Sequence, residues 1–491
     1  MSSDNLLLLL RDTMQRRRVF FLLLLLFNVV GVVALTPCER LATCSDLSSA
    51  TVGVHIVDVD TREVVASYNA HKSFVPASLV KIPTAVAVMK TYDDDVRWYT
   101  SVGYTGHLVD SMLYGDIVIR GSIDPSLANP SSTQPVTVFI DSLLSAVAQV
   151  GIKHVCGRVV VDESICDMGG WSEWMVEDMG YYYGAACFGA NYKGNEYGLN
   201  FCTDSIGTTP RLLGASMHTP PMRYINQLLS GEKDLSQIYT MPYASHCLLM
   251  GTIPAHRSKY TLRCAMPDAP LFMAYDITVT LREAGVVVEG TPTTYRILSH
   301  EGLALPPAHT TLYVHASDCL SDMVSVMMHK SNNLYAESLL RYVALSRDSI
   351  ATLSQALSVE RTILSQVGVD TLCMKISDGC GLSRKNLMTP HSLATLLVGA
   401  YNDAELGTRF VSRFPQAGKE GSVKSMMARK PLPGLLRLKS GSMSGVLCYA
   451  GYYEHGGRNY AIVLMSNNHS CKTSVVRAAF ERLLRDLFAN R

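Results

Sequence analysis

Alternation opens the chain's ordered part. Val52, Val54 and Ile56 stand at every second position, Asp60-Thr61 makes a turn, and Val64 to Tyr68 resumes the extended pattern, which together predict a β-hairpin. Pro76-Ala77-Ser78 then starts a run of helical composition from Leu79 to Met89, in which Pro83 removes one interior donor and predicts a local kink. From about residue 98 to 305 the texture changes to short extended stretches such as Asp116 to Arg120 and Gly157 to Asp162, with Gly, Pro and Tyr between them. Helical periodicity returns at Leu320 to Met328, Leu334 to Leu345, Ile350 to Val367 and Pro390 to Tyr401. Two strands, Gly445 to Tyr453 and Asn459 to Ser466, and an amphipathic helix from Thr473 to Phe488 end the chain.

A terminal hairpin, a terminal helix and an N-terminal hairpin combine into one antiparallel sheet with helices on its faces if the middle stretch is an insertion. The expected division is therefore an N-terminal segment over 1–37, a first part over 38–97, an inserted β-rich unit over 98–305 and a second part over 306–491. The N-terminal segment has the order of a secretory signal. Arg11 and Arg16 to Arg18 precede an apolar run from Val19 to Leu35, with the small residues Val32 and Ala34 near its end. Both readings of that run stay open: cleavage close to Ala34, or retention as an anchor that associates with a membrane. In either case an exported, periplasmic or cell-envelope protein is expected.

The balance of 43 basic against 42 acidic residues gives no electrostatic reason to expect nucleic acid as a partner. Thirteen cysteines are an odd number, so at least one thiol has no partner within the chain. A pairing of Cys38 with Cys44 and burial of cysteine as a small apolar residue both stay open. No C-x-x-C pair is present, so neither a metal nor another cofactor is expected.

Three short motifs carry candidate chemistry. Ser78-Leu79-Val80-Lys81 is an S-x-x-K tetrad at the start of a helix, where a spacing of three puts hydroxyl and amine on one face and the helix N-terminus favours the neutral amine. Chance also produces such tetrads, and Ser230-Gly231-Glu232-Lys233 is a second one in a polar stretch. Ser331-Asn332-Asn333 lies between two helical runs. Its Ser can pass a proton to a leaving amine and its second Asn can hold both the lysine and a substrate amide, although taken alone such a tripeptide is also a common turn or cap. Lys439-Ser440-Gly441-Ser442 ends a Leu-rich extended stretch, where an edge-strand lysine beside hydroxyls and a bare Gly lets a peptide lie antiparallel with its carboxylate on the hydroxyls; the bland alternative is a solvated turn.

In this order the three motifs resemble the active-serine penicillin-binding proteins and β-lactamases. Among them the chain is most similar to the D-Ala-D-Ala carboxypeptidase/endopeptidase family of class C penicillin-binding proteins. About 250 residues separate Lys81 from Ser331, Asp378-Gly-Cys-Gly-Leu-Ser-Arg384 precedes Thr389-Pro390, and Asn333-Leu-Tyr-Ala-Glu337 follows the second motif. The resemblance implies an α/β fold of the β-lactamase/transpeptidase type. It implies Ser78 as nucleophile, Lys81 as its base, Ser331 and Lys439 assisting protonation of the leaving amine, and Asn333 orienting the substrate. The amides of Ser78 and Ser442 would form the oxyanion hole, and Ser440 and Ser442, with Gly441 between them, would receive the carboxylate. Asp162 and Arg384 would meet the free end of a diaminopimelate side chain, with a plain strand-end carboxylate as the alternative for Asp162. The implied partners are peptidoglycan peptides ending in D-Ala, and β-lactams as covalent inhibitors.

Cys380 stands where the family has Ser, and Cys166 where an aromatic residue is usual. A β-lactamase shares the acylation half and would need a dedicated deacylating base. Glu337 sits too close to Ser331 for that loop. A non-catalytic wall-binding protein of the same fold would not need a nucleophile with its base.

Overall fold

A computed structural model describes residues 35–167, 171–304 and 310–489. The N-terminal basic cluster and nearly all of the apolar run after it lie outside the described residues. Among the described residues no helix is long and apolar enough to cross a membrane.

After the short helix α1 (Pro37–Ala42), strands β1 (Thr51–Asp58) and β2 (Val64–Tyr68) form the expected hairpin. They join β11 (Leu435–Met443), β12 (Val446–His455) and β13 (Arg458–Asn467) at the other end of the chain. The result is a five-stranded antiparallel sheet in the order β2-β1-β13-β12-β11. Successive side chains leave opposite faces of a strand, and in β12 both sets are apolar. Val446, Cys448, Ala450 and Tyr452 belong to one buried cluster, Leu447, Tyr449 and Tyr453 to another. The sheet is therefore covered on both sides. One face packs on α1 and on α9 (Thr473–Phe488), whose Val476, Phe480, Leu483 and Leu484 are buried. The other face packs on helices α2 (Lys81–Thr91), α5 (Leu320–Lys330), α6 (Asn333–Leu345), α7 (Leu353–Gln366) and α8 (Pro390–Asn402).

Helix α2 begins later than its composition indicates. Ala77–Val80 is a 3₁₀ turn, and the α-helix proper starts at Lys81. Pro83 thus falls in the first turn, where an amide has no intrahelical acceptor, so the missing N–H costs no helix bond and the expected interior kink has no cause.

The stretch between α2 and α5 has its own buried clusters. Strands β3 (Tyr99–Tyr104), β4 (Ile117–Arg120) and β5 (Val159–Asp162) lie in a mixed sheet completed by Thr293–Thr294 and by β10 (Thr310–Ala316), which pairs with β3. Helices α3 (Val138–Val150) and α4 (Ala269–Glu283) pack on it through Phe139, Leu143, Ile277 and Leu281. The extended texture of the sequence did not reveal these helices. Gly151, at φ +81°, closes α3, while Asp268 caps α4 and Pro270 stands in its first turn. A second cluster gathers Leu199, Phe201, Leu249 and Phe272 around an antiparallel set of Glu196–Thr203, Arg211–Ala215 and Arg257–Ala265.

All thirteen cysteines are free thiols, which corrects the pairing of Cys38 with Cys44. Cys38 is buried in the α1/α9 cluster, where burial pushes its thiol up to about 11.

Phe480 is fully buried and meets Tyr449 edge to face. Phe480→Ala is expected to lower stability by about 3–5 kcal/mol in urea unfolding, because the sheet beneath it cannot collapse into the space left.

Candidate active site

The three motifs meet where the N-terminus of α2, the α5–α6 junction and the edge strand β11 come together. The 3₁₀ turn sets Ser78 and Lys81 on one side, since residues three apart nearly eclipse in that helix. Lys81 Nζ lies 3.0 Å from Ser78 Oγ, 2.7 Å from Asn333 Oδ1 and 2.6 Å from the Cys380 carbonyl oxygen. Ser331 ends α5 in the left-handed conformation, at φ +55°, and Asn332 caps α6 by accepting from the Tyr335 amide. That abrupt junction leaves Ser331 and Asn333 free to face the lysines. Lys439 Nζ donates to Ser331 Oγ at 2.7 Å and to the Ser440 carbonyl at 2.7 Å.

Both lysines are completely buried while Ser78 is partly exposed. Burial holds the Lys81 amine below the usual lysine range, against the opposing pull of the nearby Asp378 and Glu337 carboxylates. Burial, reinforced by the positive charge of Lys81, lowers Lys439 strongly. Of the three oxygens around Lys81, those of Asn333 and Cys380 only accept. A neutral amine spends its two N–H bonds on them, so its lone pair is left for the Ser78 hydroxyl. The arrangement can therefore take a proton from Ser78.

Two buried carboxylates fix the turn that presents the Cys380 carbonyl. Glu337 of α6 accepts from the amides of Gly379 (2.9 Å) and Cys380 (3.0 Å) and pairs with the fully buried Arg341 at 2.9 Å. Asp378 accepts from the amides of Gly381 and Ser383, both at 2.7 Å, from Asn386 Nδ2 at 2.9 Å and from Trp174 Nε1 at 3.0 Å. Burial and the Glu337 charge push the Asp378 carboxyl up to about 6. The Cys380 thiol is fully buried, so this departure from the family pattern leaves no reactive thiol at the surface.

Glycine permits the close approach of these parts. A Cβ on Gly441 would lie 2.4 Å from the Pro76 carbonyl oxygen, and one on Gly381 would lie 2.0 Å from that of Ala77, itself at φ +48°. The edge strand can thus lie directly against the turn that carries Ser78. Segment Pro415–Ala417 covers the outer edge of β11 only as far as Leu438, pairing with Leu436 and Leu438. Alternate residues point their backbone groups to the same edge, so the N–H groups of Ser440 and Ser442 face the same side beyond that cover. Ser442 is exposed, and Ser440 Oγ donates to Ser422 Oγ at 2.7 Å.

The two remaining candidates stand apart from this hydrogen-bonded group. Arg384 is exposed and donates to the Ser444 carbonyl at 3.0 Å, at the β11–β12 turn. Asp162 is buried at the end of β5, paired with Arg120 at 3.1 Å and accepting from the Ser164 amide at 3.0 Å. One element of the site escaped the sequence reading altogether. Segment 171–184 lies over the site, with Trp174 on Asp378, Glu173 paired to Lys385 at 2.5 Å, and the Tyr183 carbonyl accepting from Asn333 Nδ2 at 2.7 Å. No motif marks it, because all three of its bonds join residues about 150–210 positions apart.

Gly441→Ala is expected to lower stability by about 1–3 kcal/mol in urea unfolding, since the added methyl must push β11 off the Ser78 turn.

A family of known proteins matches this chain over residues 38–487, the D-Ala-D-Ala carboxypeptidase 3 (S13) family. D-alanyl-D-alanine carboxypeptidase DacB of Haemophilus influenzae is 24% identical over 455 residues, covering 89% of this chain and 90% of its own. A D-alanyl-D-alanine carboxypeptidase of an Actinomadura species is 26% identical over 453 residues, covering 86% and 79%. The crystal structure of penicillin binding protein 4 (dacB) from Haemophilus influenzae shares the fold at a TM-score of 0.75, with 23% identity over 90% of this chain and 96% of that one. With the match running from the first described helix to the last, the chain belongs to the D-Ala-D-Ala carboxypeptidase 3 (S13) family.

Proposed function

We propose that this serine carboxypeptidase cleaves the terminal D-Ala-D-Ala bond of peptidoglycan stem peptides, and the related bond of cross-links, through an acyl-enzyme on Ser78. The observation that carries the reading is the buried Lys81 amine, whose Nζ lies at hydrogen-bond distance from Ser78 Oγ and from two acceptor-only oxygens.

In this reading the stem peptide adds to the uncovered edge of β11 as an extra strand, with its carboxylate near Ser440 and Ser442. Ser78 Oγ attacks the carbonyl of the penultimate D-Ala as its proton passes to Lys81. The amides of Ser78 and Ser442 receive the developing oxyanion. Ser331, held by Lys439, relays a proton to the departing amine, so D-Ala or the cross-link amine leaves and an ester on Ser78 remains. Asn333 orients the peptide amide. Water then attacks the ester, the Ser78 oxygen regains its proton, and the shortened peptide is released. A β-lactam would acylate Ser78 by the same attack.

Arg384 and Asp162 would read the far end of the stem peptide. Asp162 would do so with what acceptor capacity Arg120 and the Ser164 amide leave. Glu337 does not supply the base a β-lactamase needs, since both its oxygens are occupied by Arg341 and by the Gly379 and Cys380 amides. The wall substrate lies outside the cytoplasm, so the basic and apolar N-terminus is read as the export signal.

Ser78→Ala is expected to abolish both labelling by a fluorescent penicillin and release of D-Ala from a D-Ala-D-Ala peptide, a loss of at least about a thousandfold. Fast penicillin hydrolysis without D-Ala release would identify a β-lactamase instead, and no labelling at all a wall-binding protein. The acylation rate should also fall as the pH drops and Lys81 takes up a proton. Because burial lowers that amine, the limb lies below the ordinary lysine range, and a pH profile of labelling rate locates it.

A further inference from the structure

We propose that His154, Cys156 and Glu289 bind a zinc ion on the stretch between α2 and α5. His154–Val155 is a short strand that pairs in parallel with Val287–Val288, His154 beside Val287 and Val155 beside Val288. The pairing runs on past both strands, since Glu289 N donates to the Val155 carbonyl at 3.1 Å and Gly290 N to that of Gly157 at 2.8 Å. Alternate residues of a strand share a face. Val155 and Val288 are buried in the cluster that holds Leu143 and Leu281, so His154, Cys156 and Glu289 are turned to the opposite, open side. There one donor atom from each of the three lies within 4.8 Å of the other two, and His154 Nε2 is 2.6 Å from Glu289 Oε1. His154 and Cys156 are half-buried and Glu289 is exposed, so an ion reaches the group while the sheet stays folded.

The donor set decides the ion. Magnesium and calcium take oxygen ligands, whereas zinc accepts a thiolate, an imidazole and a carboxylate together. Around a tetrahedral zinc at ordinary bond lengths the donors stand about 3.3–3.6 Å apart. Rotation of three side chains on an open face supplies that spacing while the paired backbones stay fixed. On binding, the Cys156 thiol gives its proton to solvent, the imidazole keeps its one hydrogen on Nδ1, and the ion takes the place of the hydrogen between Nε2 and Oε1. Water fills the fourth position from the open side. The other cluster of such donors among the described residues, Glu337, Asp378 and Cys380, is fully buried, and its carboxylates are already held by backbone amides and Arg341. Bound zinc ties together two strands whose ligands stand 135 positions apart, and stabilises the folded chain by binding it alone. No spacing along the sequence announces such a site, because strand pairing brings in the third donor. None of these residues belongs to the Ser78 group, so the site stands apart from the assigned activity.

The test uses the full chain, reduced and freed of metal with EDTA, then titrated with cobalt(II) and afterwards with zinc. One equivalent of cobalt is expected to raise the near-ultraviolet band of a thiolate-to-cobalt bond, and one equivalent of zinc to remove it. Cys156→Ser should abolish the band, and Glu289→Gln, at an exposed position, should keep it while weakening cobalt binding at least about tenfold. In the unaltered chain zinc should also slow iodoacetamide labelling of Cys156, read by peptide mapping, and leave that of the exposed Cys373 unchanged. Absence of the band in the unaltered chain, a band that persists in Cys156→Ser, equal affinity in Glu289→Gln, or labelling of Cys156 at one rate with and without zinc would overturn the proposal. Because the labelling is read on the unaltered protein, a variant that fails to fold cannot mask the result.

Discussion

Burying the Lys81 amine beside the Ser78 hydroxyl is the constraint around which the rest of this structure is arranged. An ammonium buried as fully as Lys81 would cost several kcal/mol without compensation. Here burial holds the amine below the usual lysine range, and three oxygens lie at hydrogen-bond distance, one of which is the Ser78 hydroxyl. A second buried lysine, Lys439, is lowered by burial and by the Lys81 charge, and it holds Ser331. The chemistry of the pocket follows from desolvation more than from any single contact.

That environment is maintained by groups that never need touch a substrate. Glu337 spends its oxygens on two amides and an arginine, Asp378 on two amides, an asparagine and a tryptophan. Each carboxylate is satisfied so completely that it acts as a template for the 378–383 turn, whose Cys380 carbonyl is the third ligand of the lysine. Glycines at 381 and 441 then allow two backbones to approach the Ser78 turn at distances no side chain would permit. Polar satisfaction and steric clearance together place one hydroxyl, two amines and an open strand edge in a single cleft.

The segment over the cleft connects this site to the rest of the chain. It is held at one end by Asp378 and at the other by Asn333. Its position thus depends on the same buried network that orients Lys81. Stability of the turn and accessibility of the site are properties of one set of bonds.

Much of this was legible in the sequence. The hairpin at 51–68, the terminal strands and helix, and the ordered tetrad, tripeptide and K-S-G stretch all come from local periodicity and from residue types whose chemistry is short in range. The helix start at Lys81 was misread because composition cannot distinguish a 3₁₀ turn from an α-helix, and helices 138–150 and 269–283 were hidden within an extended texture. The roles of Trp174, Tyr183, Glu337 and the Cys380 carbonyl belong to the tertiary structure alone. They are contacts between residues far apart in the chain, created by desolvation and close packing, and no pattern along the sequence encodes a distance in space. By itself the sequence determined which groups could react; the fold decided which of them are buried and which face one another.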